Sequence, residues 1–295
     1  MRWFLTFALT LAPLAPLGAQ LLELSREQMT ELTKGNPYER FPDGRPKVPD
    51  TLLERARELS AEDCWGVLRK HNYRLSFEGN FKTIHPGRKL SGRALTAIFM
   101  PERPDLQSLV MSGLKTKKGF PRGAHQYVID QAQPGDVLVV DMFGSSPGFV
   151  GDNLATYIAI ATKTGGLVID GGIRDLEGMK HVDTQIYYRQ AHPDAIRDAT
   201  LVGYNVPVRI GGVTVLPGDV IVGDAEGITV VPPALIQEVV DAALEIKVHD
   251  EWTKMKLRTG KYKSHEIYGS PLDPALIKEY EEYKKKRLAE LRGGR

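Results

Sequence analysis

The chain has 295 residues, 42% hydrophobic and 26% charged, enough to bury a substantial core without covalent staples and too apolar for global disorder. Its 39 basic and 37 acidic residues leave a formal net charge of +2, which argues against nucleic-acid binding through bulk charge. The single cysteine, Cys64, excludes an internal disulfide framework and a multi-cysteine zinc site, and is expected as a small buried hydrophobe.

Residues 1–19 open Met1-Arg2, run apolar from Trp3 to Leu17 and end in Gly18-Ala19. This is the pattern of a secretory leader cleaved after Ala19, so the protein is expected to be exported. An uncleaved anchor is the alternative. However, the stretch is shorter than the ~20 apolar residues of a spanning helix, and Pro13 and Pro16 interrupt it. No other segment is apolar enough to span. Residues 20–59 read as an arm: a short helix near 25–33, then irregular chain punctuated by Gly35, Pro37, Pro42, Gly44 and Pro46. Leu52, Leu53, Ala56 and Leu59 fall at helical spacing within 50–70, and Leu95–Phe99 reads as a buried strand.

Gln133-Pro-Gly-Asp136 is a turn feeding the apolar strand Val137–Asp141. A Gly-, Ser- and Pro-rich loop from Gly144 to Gly151 leads into a helix predicted over Asp152–Thr164, stopped by Gly165-Gly166. Leu167–Asp170 is a second buried strand. Strand, helix and strand form a βαβ unit and place the chain in the α/β class. Pro134–Asp141 is echoed by Pro217–Asp224, read as two similar turns that feed buried strands. Gly211-Gly212 between Val206–Ile210 and Val213–Leu216 signals a hairpin. A long amphipathic helix follows over 234–258. The tail from Pro274 is a charged helix, acidic first and basic last, as the helix dipole favours. The main domain is placed at 60–260 and a helical tail at 261–295.

No Walker, dinucleotide-binding or G-x-S-x-G pattern is present, and the seven histidines show no metal-binding spacing. What remains is Gly151-Asp152-Asn153 at a helix start and Asp170-Gly-Gly-Ile-Arg-Asp175 after the next strand. In open α/β folds ligands gather where strands end and helices begin. The helix start suits a carboxylate. Arg174 can hold a second oxygen through its planar fork. Asp175 is a hard oxygen ligand suited to Mg²⁺ or Mn²⁺. Together they could bind a small 2-oxo acid and a divalent metal. The plainer alternative makes Asp152 an N-cap and Arg174–Asp175 a loop ion pair.

These segments, with Pro207–Pro232, are similar to the RraA-like family over roughly residues 60–260. That family includes divalent-metal 4-hydroxy-4-methyl-2-oxoglutarate aldolases, oxaloacetate decarboxylases and a regulator that inhibits a cytoplasmic endoribonuclease. The resemblance implies a layered αββα sandwich of the swivelling-domain type, here extended by an N-terminal arm and a C-terminal helical tail. It also implies assembly as a homotrimer or hexamer with sites between subunits. In its aldolases, the residue matching Asp175 binds the metal and the one matching Arg174 steadies the pyruvate enolate. Backbone amides matching Asn153 to Ala155, which span Leu154, receive the substrate carboxylate. The pattern places an acidic residue where this chain has Asn153. It draws another acid from a neighbouring subunit's C-terminal helix, for which Asp250 and Glu251 are the candidates. The expected function is a metal-dependent lyase acting on a small 2-oxo acid. A non-catalytic binding or regulatory protein is the alternative, although export would separate it from a cytoplasmic target.

Overall fold

The computed structural model describes residues 23–116, 123–269, 271 and 273–293; the expected leader over 1–19 lies outside them. Helix α1 (Arg26–Leu32) starts at a capping box made by Ser25 and Gln28. The helical stretch expected over 50–70 is two helices, α2 (Asp50–Arg57) and α3 (Ala61–Lys70). They divide because Ser60, in extended backbone, caps α3 through the Asp63 N–H, and an N-cap cannot also continue the preceding helix. Strands β1 (Phe77–Gly79), β2 (Lys82–Thr83) and β3 (Leu90–Pro101) follow, then α4 (Pro104–Lys115), α5 (Ala124–Ile129) and β4 (Asp136–Asp141).

The βαβ unit continues through α6 (Asp152–Thr162) to β5 (Gly166–Asp170), which lies parallel to β4. α6 ends two residues before the expected stop, where Lys163 at φ 60°, ψ −66° turns the chain and the Thr164 N–H bonds the Thr162 carbonyl at 2.7 Å. Gly165 is needed for a different reason: a Cβ there would run into the Asp136 carbonyl. Next come β6 (Gly172–Ile173), the single turn α7 (Leu176–Met179), β7 (Gln185–Tyr188), β8 (Gln190–Ala191) and β9 (Ala199–Tyr204). The expected hairpin is β10 (Val208–Ile210) with β11 (Val213–Val215), and β12 (Val220–Gly223) and β13 (Gly227–Val231) follow. The chain closes with α8 (Ile236–Leu257), α9 (Ser264–Ile267) and α10 (Pro274–Gly293).

The main sheet runs β1-β13-β12-β3-β4-β5-β7-β2, with β9 also on β3. One edge of β3 is shared: β12 pairs with 90–93 and β9 with 97–101, the latter interrupted by a bulge between Ile98 and Phe99. Along β4, β5, β12 and β13 alternate side chains enter different cores, as the two-residue strand period requires. Leu138 and Val140 of β4 pack outward with α4, α5, α6 and α7, whereas Val137 and Val139 turn inward. Ile221, Ile228 and Val230 of β12 and β13 meet them in the same inner core, which also takes in Val208, Ile210, Val213 and Val215 of the hairpin. Val220, Val222 and Val231 face α2, α3 and α8, with Cys64 buried among them. The curled sheet therefore contributes two β layers around an inner core with helices outside both, the αββα arrangement. The tail helices close a smaller core on α8 around Trp252, Ile267 and Leu276. No helix among the described residues is long and apolar enough to cross a membrane.

A buried ion pair stitches the arm to the sheet. Arg45 is 1% exposed and Asp136 0%, and the guanidinium meets the carboxylate through two bonds of 2.8 and 2.9 Å. The Phe41 ring lies 4.3 Å from the Arg45 guanidinium carbon. Arg93 bonds the Val48 and Pro134 carbonyls and the Asp50 carboxylate, tying the same arm to β3. Removing one partner of such a pair strands a buried charge. Arg45→Met should therefore lower unfolding free energy in urea by about 3–5 kcal/mol; a change near zero would show that the pair does not anchor the arm.

The echoed turns are alike in conformation and differ in partner. Gly135 and Gly218 sit at φ 82° and 84°. Asp136 accepts the Gln133 N–H and Asp219 the Leu216 N–H, each three residues back. Among the described residues no guanidinium lies beside Asp219, and burial pushes its carboxyl up to about 7. Stability held below about pH 4, where the carboxyl is neutral folded and unfolded, is lost as pH rises through about 7. Asp219→Asn keeps an acceptor for Leu216 and carries no charge. Relative to wild type it should gain stability between these pH values, on the order of 4 kcal/mol at about 1.4 kcal/mol per pKa unit. Parallel urea titrations of the two proteins with no pH-dependent gap would contradict this.

Candidate active site

Three short backbone segments meet at the end of the βαβ unit. Phe149 donates its N–H to the Gly172 carbonyl (2.9 Å) and Arg174 its own to Val150 (3.0 Å), so 148–150 runs beside β6. β8 lies parallel on the other side, pairing Gly172 with Gln190 and Ile173 with Ala191. The chain then turns at Asp175, which is left-handed at φ 59°, ψ 43° and stands at the start of α7 without capping it. Asp tolerates this region better than most residues. Its carboxylate is consequently not spent on its own helix.

Gly151 is the N-cap of α6 and lies against both charged residues: a Cβ there would strike Asp175 Oδ2 and stand 3.2 Å from Arg174 Nε. Arg174 Nε and Asp175 Oδ2 are 3.6 Å apart, with both side chains more than one-third exposed. A pair so open to water adds about 0–1 kcal/mol to stability. The terminal guanidinium nitrogens of Arg174 have no hydrogen-bond partner among the described residues and stay available to a ligand.

The remaining expected residues divide. Gly151, not Asp152, is the N-cap of α6, and the helix has no side-chain cap. Asp152 is the first helical residue; its carboxylate accepts the Asn153 N–H (2.8 Å) and packs against Gly178 of α7. The Ala155 N–H is taken by the Gly151 carbonyl at 3.0 Å. Of the amides of Asn153, Leu154 and Ala155, this leaves the Leu154 N–H without a partner among the described residues. The Asn153 side chain is exposed. Asp250 and Glu251 lie elsewhere in the chain, in a groove of about 1140 Å³ lined by α3 and α8 that none of Gly151, Arg174 or Asp175 lines. Asp250 pairs with Lys254, and Arg287 bonds Glu251 and holds its carboxyl below the usual range.

A half-buried network beneath the site had no signature in the sequence. Arg189 donates Nε to Asp170 (2.7 Å), Nη2 to Glu78 (2.7 Å) and its backbone N–H to Gly171 (2.9 Å), with its guanidinium carbon 3.8 Å from the centre of the Phe81 ring. The same carboxylates accept the N–H groups of Gly211 and Gly212 at the hairpin tip. Glu78 and Arg189 are 111 positions apart, so only the fold joins them. Nearby, burial raises the Asp141 carboxyl, partly opposed by the Phe143 N–H it accepts.

Among the described residues, no three or more His, Cys, Asp or Glu side chains converge on one point. That donor set does not fit zinc, which takes four N or S ligands in a structural site and three in a catalytic one. Asp175, a single accessible carboxylate, fits Mg²⁺ or Mn²⁺, hard ions commonly held by one or two carboxylates with water completing the shell.

The family model described as RraA-like, Aldolase/RraA, matches residues 50–230. A protein of Halalkalibacterium halodurans provisionally named 4-hydroxy-4-methyl-2-oxoglutarate aldolase is 35% identical over 121 residues, covering 41% of this chain and 58% of that one. Protein DlpA of Legionella pneumophila is 27% identical over 190 residues, covering 62% of this chain and 28% of its own. The chain thus spans only part of the length of these curated relatives. The crystal structure of Streptomyces coelicolor RraAS2, described as an unusual member of the RNase ES inhibitor RraA protein family, superposes with a TM-score of 0.62 at 31% identity. It covers 71% of this chain and 100% of that one.

The contact between Gly151 and the Asp175 carboxylate makes a prediction of its own. Gly151→Ala should push the carboxylate aside and weaken Mn²⁺ binding, followed by electron paramagnetic resonance, by about 10-fold or more with the fold intact by circular dichroism. Undiminished Mn²⁺ binding would separate Gly151 from the cation site.

Proposed function

Because the chain belongs to the RraA-like family, we propose that it is a divalent-metal-dependent lyase that cleaves or decarboxylates a small 2-oxo acid. The observation that carries this reading is the placement of Arg174 and Asp175 against the uncapped start of α6, across a glycine that leaves room for both. The curated relative named for 4-hydroxy-4-methyl-2-oxoglutarate aldolase activity supports it. In this reading the Leu154 N–H and the positive end of α6 receive the substrate carboxylate. Asp175 holds Mg²⁺ or Mn²⁺, which supplies Lewis-acid polarisation of the 2-oxo group when bound. The unpaired guanidinium nitrogens of Arg174 face the 2-oxo oxygen. When the C3–C4 bond breaks, its electron pair moves toward that oxygen, and Arg174 balances the charge that develops there. Asn153 can hydrogen-bond and adds no charge. Self-association as a homotrimer or hexamer belongs to the same proposal, with Asp250 or Glu251 of a neighbour supplying a second carboxylate.

Asn153 also favours a second reading. With no charge where the family's aldolases carry an acid, the chain could serve as a non-catalytic binding protein on the same fold. One assay separates the two. Pyruvate release from oxaloacetate should require Mg²⁺ or Mn²⁺, stop with EDTA and be abolished by Asp175→Ala. Arg174→Ala should reduce kcat by about 100-fold or more. Release no faster than with the metal alone would favour the binding protein, and full activity in Asp175→Ala would refute the metal assignment.

A further inference from the structure

The arch that closes over Arg174 holds a side chain with no assigned role. After β8 the chain continues as His192-Pro193-Asp194-Ala195. His192 donates its backbone N–H to the Ile173 carbonyl at 3.0 Å, which carries the parallel β6–β8 register one step further and sets His192 beside Arg174. In-register neighbours in a parallel ladder project to the same face. The arch then returns across the ribbon. Asp194 accepts the Gly148 N–H (2.9 Å) and Ala195 bridges Gly148, the residue whose Cβ position lies 3.0 Å from the Arg174 Cβ. His192 and Arg174 are thus held together by the same three backbone segments.

The ring's chemistry is set within this arch. The backbone N–H of Asp194 donates to His192 Nδ1 at 3.1 Å. Nδ1 is therefore the acceptor, and the neutral imidazole carries its proton on Nε2. Nε2 has no protein partner among the described residues, and the side chain is half-buried. An uncharged N–H donor is thereby carried by the residue that stands next to Arg174 across the ribbon, and the terminal guanidinium nitrogens of Arg174 have no partner among the described residues.

We propose that His192 is a second substrate-contacting donor of this site, its Nε2–H bonding the oxygen on which charge accumulates alongside Arg174. The proposal rests on reading the site as one for 2-oxo acids. Two donors directed at one developing oxyanion are worth more than one, because each is oriented before the charge appears. The contact needs no change in the charge of the ring.

Two substitutions separate the donor from the turn it helps to form. His192→Asn retains, in Oδ1, an acceptor for the Asp194 N–H and loses the distal donor; His192→Gln retains a distal N–H. His192→Asn should lower kcat for pyruvate release by about 100-fold with KM changed by less than about threefold, and His192→Gln should keep activity within about 10-fold of wild type. Binding of oxalate, a mimic of the planar enolate, should weaken by about 10-fold in His192→Asn by calorimetry. Wild-type kcat and oxalate affinity in His192→Asn would overturn the proposal while leaving the 2-oxo acid site standing. A wild-type protein that neither releases pyruvate nor binds oxalate would overturn both.

Discussion

The buried pair between Arg45 and Asp136 ties the opening arm to the sheet on which the candidate site is built. Both side chains are withdrawn from water, so each charge depends on the other for compensation. Asp136 also closes the turn that starts β4, and β4 lies between β3 and β5. The pair thereby holds one end of the βαβ unit whose opposite end presents Arg174 and Asp175. It also explains why the arm is ordered. The Phe41 ring packs against the cations of both Arg45 and Arg93, and Asp43 receives a bond from Asn205, beyond β9. The related turn at Asp219 shows the same backbone without the cation, and there the carboxyl is driven toward its neutral form.

The site depends on small residues at points of close approach. Gly148, Gly151, Gly172 and Gly178 each stand where a Cβ would meet backbone, a carboxylate or Arg174. Side-chain-free contacts let the 148–151 segment, β6 and α7 converge within a few ångströms. Beneath them, Arg189 satisfies the buried Asp170 carboxylate, the half-buried Glu78 carboxylate and a carbonyl, with each carboxylate also held by a glycine N–H of the hairpin. Rigid support below and exposed, lightly bonded groups above is an arrangement that favours ligand binding over stability. Arg174 and Asp175 form a pair open to water and add little to the fold.

Much of this architecture was legible in the sequence because it is local. The apolar runs Val137–Asp141 and Leu167–Asp170, the helix between them and the Gly211-Gly212 hairpin all follow from periodicity and turn chemistry within short windows. The interactions that define the site's support are not local. Arg45 lies 91 positions from Asp136, and Arg189 lies 111 from Glu78. Residue spacing carries no trace of such partnerships. The division of α2 from α3 turned on Ser60, a capping residue inside a continuous apolar pattern. The helix start was placed correctly, but the allocation of its amides was not visible. Asp152 takes the Asn153 N–H and Gly151 that of Ala155, so of the three amides from Asn153 to Ala155 the Leu154 N–H is the one without a partner among the described residues. His192 gave no signal either, because its proximity to Arg174 depends on the parallel pairing of β6 with β8.

The account turns on whether these groups convert a 2-oxo acid to its enolate form. Exchange of the pyruvate methyl protons with deuterium oxide, followed by proton NMR, forms the same enolate by the reverse of its protonation, with solvent hydroxide taking the proton, and needs no second substrate. The account predicts loss of the methyl signal with the protein and Mg²⁺ or Mn²⁺, and arrest of that loss by EDTA. A signal that decays no faster than with the metal alone would contradict it.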